Sequence, residues 1–251
     1  MRPLMTRSIY RITGGDRLSF LQGLITNDIA KLENGLVYAA MLTPQGKYLA
    51  DFFLVPDAKA VLLDVDASIA AGLAQKLNMY KLRADVAIEE TDLKVKRGTG
   101  PTPEVAFADP RHSALGWRLY GSENGDDGTD FDALRVQHCV PATGVELTPD
   151  TFILEAGFER LNGVDFRKGC YVGQEVTARM KHKTELRKGL TRVDVTGHAP
   201  VGTAITSNGK AAGTLYSQAD GQGIAYLRFD RAGEAMNADG ATVTYPASDP
   251  K

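Results

Sequence analysis

The chain has 251 residues, 43% of them hydrophobic and 24% charged, with a formal net charge of −2. That length supports one large or two to three small domains with real cores, and the near-balanced charge gives no overall attraction to nucleic acid. No apolar run approaches the roughly 20 residues of a membrane-crossing helix, and the opening residues Met1 to Arg7 lack the apolar stretch of a secretory leader, so a cytoplasmic protein is expected.

In chain order, Ser8-Ile9-Tyr10-Arg11-Ile12 predicts a short strand that Gly14-Gly15 breaks. Asp16 is placed to cap a helix whose apolar stripe is Leu18, Leu21, Leu24 and Ile25. Leu36 to Leu42 and Tyr48 to Val55 read as strands joined by a Thr43-Pro44-Gln45-Gly46 turn. Val61 to Val65 is a third strand, and Asp66 or Ser68 caps a second helix carrying Ile69, Leu73, Leu77 and Tyr80. Val86-Ala87-Ile88 follows as another strand, and the order suggests an α+β layer built like a split βαβ unit. Arg97 to Pro103 and Gly121 to Gly128 read as loops, and a third helix is expected from Phe131 to His138, with Thr129 and Asp132 as its capping box. From about Gly189 the texture changes. Leu190–Val195, Thr203–Thr206, Ala211–Ser217, Gly223–Phe229 and Thr242–Tyr245 alternate with glycine-rich turns, Asn208-Gly209 is a hairpin signal, and a small all-β barrel is expected.

The residues with most chemistry lie in Lys168-Gly169-Cys170-Tyr171-Val172-Gly173-Gln174-Glu175. Two glycines bracket the cysteine and allow a tight turn close to a ligand. Lys168 would favour the reactive thiolate of Cys170, and Gln174 and Glu175 add donors and acceptors. A buried structural cysteine in a turn has the same pattern. The run Arg179 to Lys188 reads either as a solvated face or as an anion site, and it holds no aromatic on which a base could stack. Cys139 reads as structural, and Cys139 with Cys170 supplies only half the thiolates of a four-cysteine iron–sulfur site. His112, His138, His182 and His198 show no zinc spacing, so no metal site is expected.

Lys168 to Glu175 matches, at every fixed position, the K-G-C-Y-x-G-Q-E signature of the YgfZ family of folate-binding iron–sulfur assembly and repair proteins, and the chain resembles that family. Leu154-Glu155-Ala156-Gly157 with Leu161 to Asp165, Phe20 to Gly23 with Thr26-Asn27-Asp28, and Thr43 to Lys47 through Asp51 resemble further family segments, so the likeness spans about Gly15 to Arg192. It implies an α+β fold related to the glycine-cleavage aminomethyltransferase (GcvT): a folate-binding body over residues 1–182, made of two intertwined subdomains, and a C-terminal β-barrel over 183–251. The cofactor it implies is tetrahydrofolate. Glu155 corresponds to the glutamate that contacts the pterin in those transferases, and Asp51 to their active-site acid, although the transferases carry two adjacent acids and this chain has Ala50-Asp51. Cys170 and Asp51 are therefore the catalytic candidates, and Glu155, Arg179, Lys168 and Gln174 the cofactor-binding candidates. The implied function is accessory: assembly or repair of iron–sulfur enzymes, with client enzymes or assembly proteins as partners and no direct contact with nucleic acid or membrane. Two alternatives stay open, a tetrahydrofolate-dependent one-carbon transferase or demethylase and a tRNA-modification accessory protein. Whether the protein is itself an enzyme is left open too.

Overall fold

The computed structural model describes residues 6–183, 186–233 and 235–245. Contacts divide the chain into two compact units, Met1–Thr129 with Phe158–Ala178, and Asp130–Gly157 with Arg179–Lys251. The sequence draws its boundary at 182/183; by contacts, the segment Asp130–Gly157 joins the unit that carries the C-terminal strands.

The first unit is built on strands β1 (Arg7–Thr13), β2 (Val37–Leu42), β3 (Tyr48–Asp57), β4 (Ala60–Asp66) and β5 (Ala87–Glu90), with helix α1 (Arg17–Gln22) after β1 and α2 (Ala67–Lys81) after β4. The sheet order is β2-β3-β4-β1-β5, and every neighbouring pair is antiparallel. β4 and β5 are both antiparallel to β1, which lies between them, so β4–α2–β5 is the split βαβ unit that the sequence predicts. Asp66 caps α2 through a bond from the Ser68 amide at 2.9 Å. Asp16 differs from expectation: its carboxylate makes no cap bond to α1 and accepts instead from the Asp85 amide at 2.8 Å. Leu18 also departs from the predicted stripe and is exposed, while Leu21, Leu24 and Ile25 are buried.

Alternation along the strands separates two buried faces. Ile12, Ala39, Met41, Phe52, Leu54 and Leu63 point one way and pack with Leu21, Leu73 and Leu77 from the helices. Arg7, Asp64, Phe53, Asp51 and Tyr38 take the other face, as their registers require: Phe53 pairs with both Tyr38 and Asp64, and Asp51 with Ala40. A second sheet supplies the cover there. It consists of β6 (Lys94–Gly98), β7 (Phe107–Ala108), β8 (Trp117–Gly121) and β9 (Gly125–Asp126) in the order β7-β8-β6-β9. From β8, Arg118 donates to Asp64 at 2.8 Å, and so does the Tyr120 hydroxyl. Arg7 donates to the other carboxylate oxygen at 2.5 Å. Arg111 forks onto Asp109 at 3.0 and 2.7 Å, and the guanidinium carbons of Arg111 and Arg118 lie 4.7 and 4.2 Å from the centre of the Phe53 ring.

The second unit opens with α3 (Phe131–Gln137). Its cap is Asp130, bonded from the Asp132 and Ala133 amides, and not the expected Thr129–Asp132 box. α4 (Gln174–Lys183), which the sequence does not predict, carries residues of both units. β10 (Lys188–Thr196), β11 (Thr203–Ser207), β12 (Lys210–Ala219), β13 (Gln222–Arg228), β14 (Met236–Ala238) and β15 (Ala241–Thr244) close into a barrel in the order β10-β13-β12-β11-β14-β15. Val193, Ile205, Leu215, Leu227 and Val243 fill it. Asn208 and Gly209 both take positive φ at the β11–β12 hairpin, as an Asn-Gly turn requires. Buried Glu146 accepts from Arg135 at 3.1 Å and from the Ala142 amide at 2.9 Å. Among the described residues no helix is long and apolar enough to cross a membrane.

Burial alone would raise the Asp64 carboxyl, but Arg7 and Arg118 outweigh it and hold the group below the ordinary carboxylate range; Arg111 does the same for Asp109. Both folded values are depressed, so their stabilisation is present above the unfolded value of roughly 4 and is lost as pH falls through the folded values. Asp64→Asn removes the nearest counter-charge of Arg7 and Arg118, leaving Arg118 only Asp109 at 3.8 Å, and is expected to cost about 3 kcal/mol at neutral pH. Urea unfolding from pH 7 down to pH 3 should show a shallower acid-side loss in this variant than in the wild type. Equal slopes would mean that Asp64 is not ion-paired.

Candidate functional site

The Cys170 loop is fixed at three places. Lys168 is buried, and its ammonium donates to the Gln22 carbonyl at 2.6 Å and the Ile25 carbonyl at 2.5 Å. These groups lie at and just beyond the end of α1, where carbonyls lack helical partners. The ammonium also sits 4.8 Å from the centre of the Tyr171 ring. Burial pushes the Lys168 pKa down to about 8, against the opposing pull of Asp28 and Asp165. The second attachment is the Val172 amide, which donates to the Gly23 carbonyl at 3.3 Å. The third is Gly173, at φ +84°, where a Cβ would stand 2.5 Å from the Thr43 carbonyl oxygen. Across this contact, a Cβ on Gly46 would stand 2.8 Å from Val176 Cβ. The loop and the Thr43–Gly46 turn therefore pack backbone against backbone. Between these attachments Gly169 and Cys170 are exposed. The alternative of a buried structural cysteine does not hold for Cys170, while Cys139 is buried against Val136 and Ile224. Lys168, expected beside the thiolate and at a cofactor, spends its donors inside the protein and acts as the clamp of the loop. Gln174 begins α4, half-buried, with its amide 3.2 Å from the Tyr171 carbonyl.

The same turn leads into β3 and Asp51. The sequence weighs an outward, solvated aspartate there; the structure buries it. Oδ1 accepts from the Tyr48 hydroxyl at 2.7 Å and Oδ2 from the Tyr38 hydroxyl at 3.0 Å. Tyr38 shares the face of Asp51 by ordinary pairing. Tyr48 reaches it because the β2–β3 register shifts between Met41 and Leu42, pairing Leu42 with Tyr48 and inserting a bulge. Burial first, then Asp51, raises the Tyr38 pKa well above that of an ordinary tyrosine, so it remains a donor; the Arg111 guanidinium, 5.5 Å from the ring centre, opposes the shift. Two other segments marked in the sequence are bonded to each other: Thr26 Oγ1 donates to the Gly163 carbonyl at 2.7 Å, and Asn27 Nδ2 to the Asn162 carbonyl at 2.7 Å.

Glu155 and Arg179 belong to the second unit, whereas Cys170, Lys168, Gln174 and Asp51 belong to the first. Arg179 is exposed on α4, and Thr184 and Glu185 of the basic run lie outside the described residues. Glu155 is buried. Its Oε2 accepts from the Tyr226 hydroxyl of β13 at 2.7 Å, and Lys188 Nζ stands 3.7 Å from Oε1. The Leu190 amide donates to the Glu155 carbonyl at 2.6 Å, and a Cβ on Gly189 would meet that carbonyl oxygen at 2.9 Å, so β10 starts directly against this residue. A buried carboxylate oriented by a hydroxyl can accept further hydrogen bonds from donors placed side by side. The sequence reading missed Tyr38, Tyr48 and Tyr226. Only Tyr38 had a signal, its place across a recognisable hairpin from the strand of Asp51.

Residues 187–250 match the family model described as the CAF17 C-terminal beta-barrel domain. The mitochondrial iron–sulfur cluster assembly factor IBA57 of Mus musculus is 31% identical, over 88% of this chain and 75% of the mouse protein. The chain belongs to the IBA57 family. The IBA57 protein of Homo sapiens is 29% identical over 97% of this chain and 82% of its own length. The glycine cleavage system aminomethyltransferase T from Bartonella henselae superposes with a TM-score of 0.76 at 14% identity, covering 96% of this chain and 84% of that one. The expected architecture, a GcvT-like body with a C-terminal barrel, is thus the observed one. The cytoplasmic expectation is overturned: these IBA57 relatives are named mitochondrial.

Gly173→Ala forces a side chain into both the Thr43 carbonyl and a left-handed backbone, and about 2 kcal/mol of destabilisation is expected. Hydrogen exchange should quicken first at Val172 and in the Thr43–Lys47 turn. Uniform quickening over the whole first unit would mean that the loop is not separately fastened there.

Proposed function

We propose that this protein is a tetrahydrofolate-binding accessory factor for the assembly or repair of iron–sulfur enzymes. The observation that carries the reading is the presentation of Cys170: an exposed thiol on a loop held by the Lys168 ammonium, the Val172 amide and the Gly173–Thr43 contact. Rigid presentation of a thiol suits transient contact with a partner's metal centre or thiol, and two relatives in the family bear iron–sulfur assembly in their names. Two cysteines, one of them buried, suit an accessory role better than permanent carriage of a cluster.

The folate half of the proposal rests on Glu155. Tyr226 fixes one carboxylate oxygen, leaving the outer edge to accept paired donors from a pterin, with Arg179 as a cation for an anionic tail. Tetrahydrofolate supplies one-carbon transfer and reducing equivalents when bound. Asp51, with a tyrosine hydroxyl on each of its oxygens, is assigned the upkeep of the buried face beneath the Thr43–Gly46 turn.

Complementation tests both halves. In a host lacking this protein, wild type should restore the activity of a 4Fe–4S enzyme. Cys170→Ala at matched expression should fall at least tenfold short, and Glu155→Ala should lose tetrahydrofolate binding in equilibrium dialysis. Full rescue by Cys170→Ala would remove the thiol from the function. Formation of methylene-tetrahydrofolate from a methylated amine, lost in Asp51→Ala, would move the protein to the transferases.

A further inference from the structure

Glu155 is a buried carboxylate with two unlike partners. Burial of such a group is costly without compensation. The Tyr226 hydroxyl makes a full hydrogen bond to Oε2 at 2.7 Å. Burial, followed by this bond, raises the Tyr226 pKa and keeps the hydroxyl a donor. The second partner is looser. Lys188 Nζ stands 3.7 Å from Oε1, beyond hydrogen-bond length, and its side chain keeps 49% of its surface in solvent. The same ammonium lies 5.6 Å from the centre of the Tyr226 ring. Lys188 is the first residue of β10, paired with Arg228, so its backbone is fixed while its flexible four-carbon stem is free to swing away.

The ammonium therefore occupies two places at once: the edge of Oε1 and the neighbourhood of the Tyr226 ring. A flat ligand bearing an amine beside a ring N–H needs both of them, the edge for its donors and the ring for stacking. We propose that Lys188 is an internal stand-in for that amine. It neutralises Glu155 while no ligand is bound and competes with the ligand for the carboxylate, which makes it an affinity-setting residue of the site. The inference rests on the reading of Glu155 as the pterin-facing group. The ligand class is a planar 2-amino-4-oxopyrimidine ring or its amidine-like equivalent. The sign is opposite to that of a lysine serving an anionic ligand: removing Lys188 strengthens binding.

The experiment measures tetrahydrofolate binding to the full chain by equilibrium dialysis, in wild type, Lys188→Met, Lys188→Gln and Tyr226→Phe. A half-exposed ion pair is a weak competitor, so both Lys188 variants are expected to bind about threefold more tightly. Tyr226→Phe, which loses the orienting hydrogen bond, is expected to bind about fivefold more weakly. Lys210→Met removes the same charge from an exposed position on β12 and should leave affinity unchanged. The gain in Lys188→Met should disappear in a Glu155→Gln background. Unchanged or weaker binding in both Lys188 variants, or an equal gain in Lys210→Met, overturns the proposal. If no form binds tetrahydrofolate, the folate reading fails, and the same series with benzamidinium followed by ligand-observed NMR decides the stand-in by itself. Tighter benzamidinium binding in Lys188→Met but not in Lys210→Met keeps it, and no difference between the two sinks it.

Discussion

Asp64 is the residue on which the first unit turns. It is fully buried on a sheet that is covered on both faces, and such a charge is tolerable only with its partners in place. Arg7 arrives from β1, and Arg118 and Tyr120 from β8 of the covering sheet. Replacing a cluster of this kind with apolar residues is often neutral or favourable for stability, so its presence is weak evidence of extra strength. Its stronger effect is on register. A slip of β4 by one residue would turn Asp64 into the apolar layer beside Leu73 and Leu77 and bring Leu63 or Val65 against the guanidiniums of Arg7 and Arg118. The ionic face thereby fixes which side of β3 is which, and with it the side on which Asp51 and Tyr38 lie.

From that register the rest of the first unit's site follows by short steps. The β2–β3 hairpin ends in the Thr43–Gly46 turn, and the bulge near its end rotates Tyr48 onto the face of Asp51. The outer surface of the turn receives Gly173, so the strand carrying the buried acid and the loop carrying the exposed thiol share one rigid corner. The other end of the loop is clamped to the end of α1 by Lys168. A lysine beside a cysteine invites a chemical interpretation, but here its charge satisfies orphan carbonyls and the exposure of the thiol follows from the fastening.

Most strands could be read from alternation and turn chemistry, since both are local. β1 to β5, α2 with its Asp66 cap, the Asn208-Gly209 hairpin and five of the six barrel strands all carry such signals. β14 escaped because Met236–Ala238 is too short to show a period. α4 escaped because it has no apolar stripe to announce it. Leu18 and Asp16 misled for a related reason: their spacing and type fit a helix of normal length, but α1 ends after Gln22 and the Asp16 carboxylate is taken by the Asp85 amide. The site partners were beyond reach for a different reason. Arg118 lies 54 positions from Asp64 and Tyr226 lies 71 from Glu155, and no local pattern encodes either meeting. Resemblance to a family pointed to Glu155, Asp51 and Cys170, but only geometry tells a presented thiol from a buried one, or an internal acceptor from a solvated acid.

The contrast between the two buried carboxylates is informative. Asp51 has a tyrosine hydroxyl on each oxygen and lies deep in a sheet face, so its partners are as permanent as the fold. Glu155 has one permanent partner, Tyr226, and one whose bond is long, solvent-facing and mounted on a flexible stem. A carboxylate meant to receive a ligand must be compensated while the ligand is absent, yet not so well that the ligand cannot displace the compensation. A short, buried ion pair would fail the second condition and an empty pocket the first. An ammonium at 3.7 Å with half its side chain in solvent meets both, and it stands beside the only strand residue that already holds the other oxygen among the bonds described for this carboxylate.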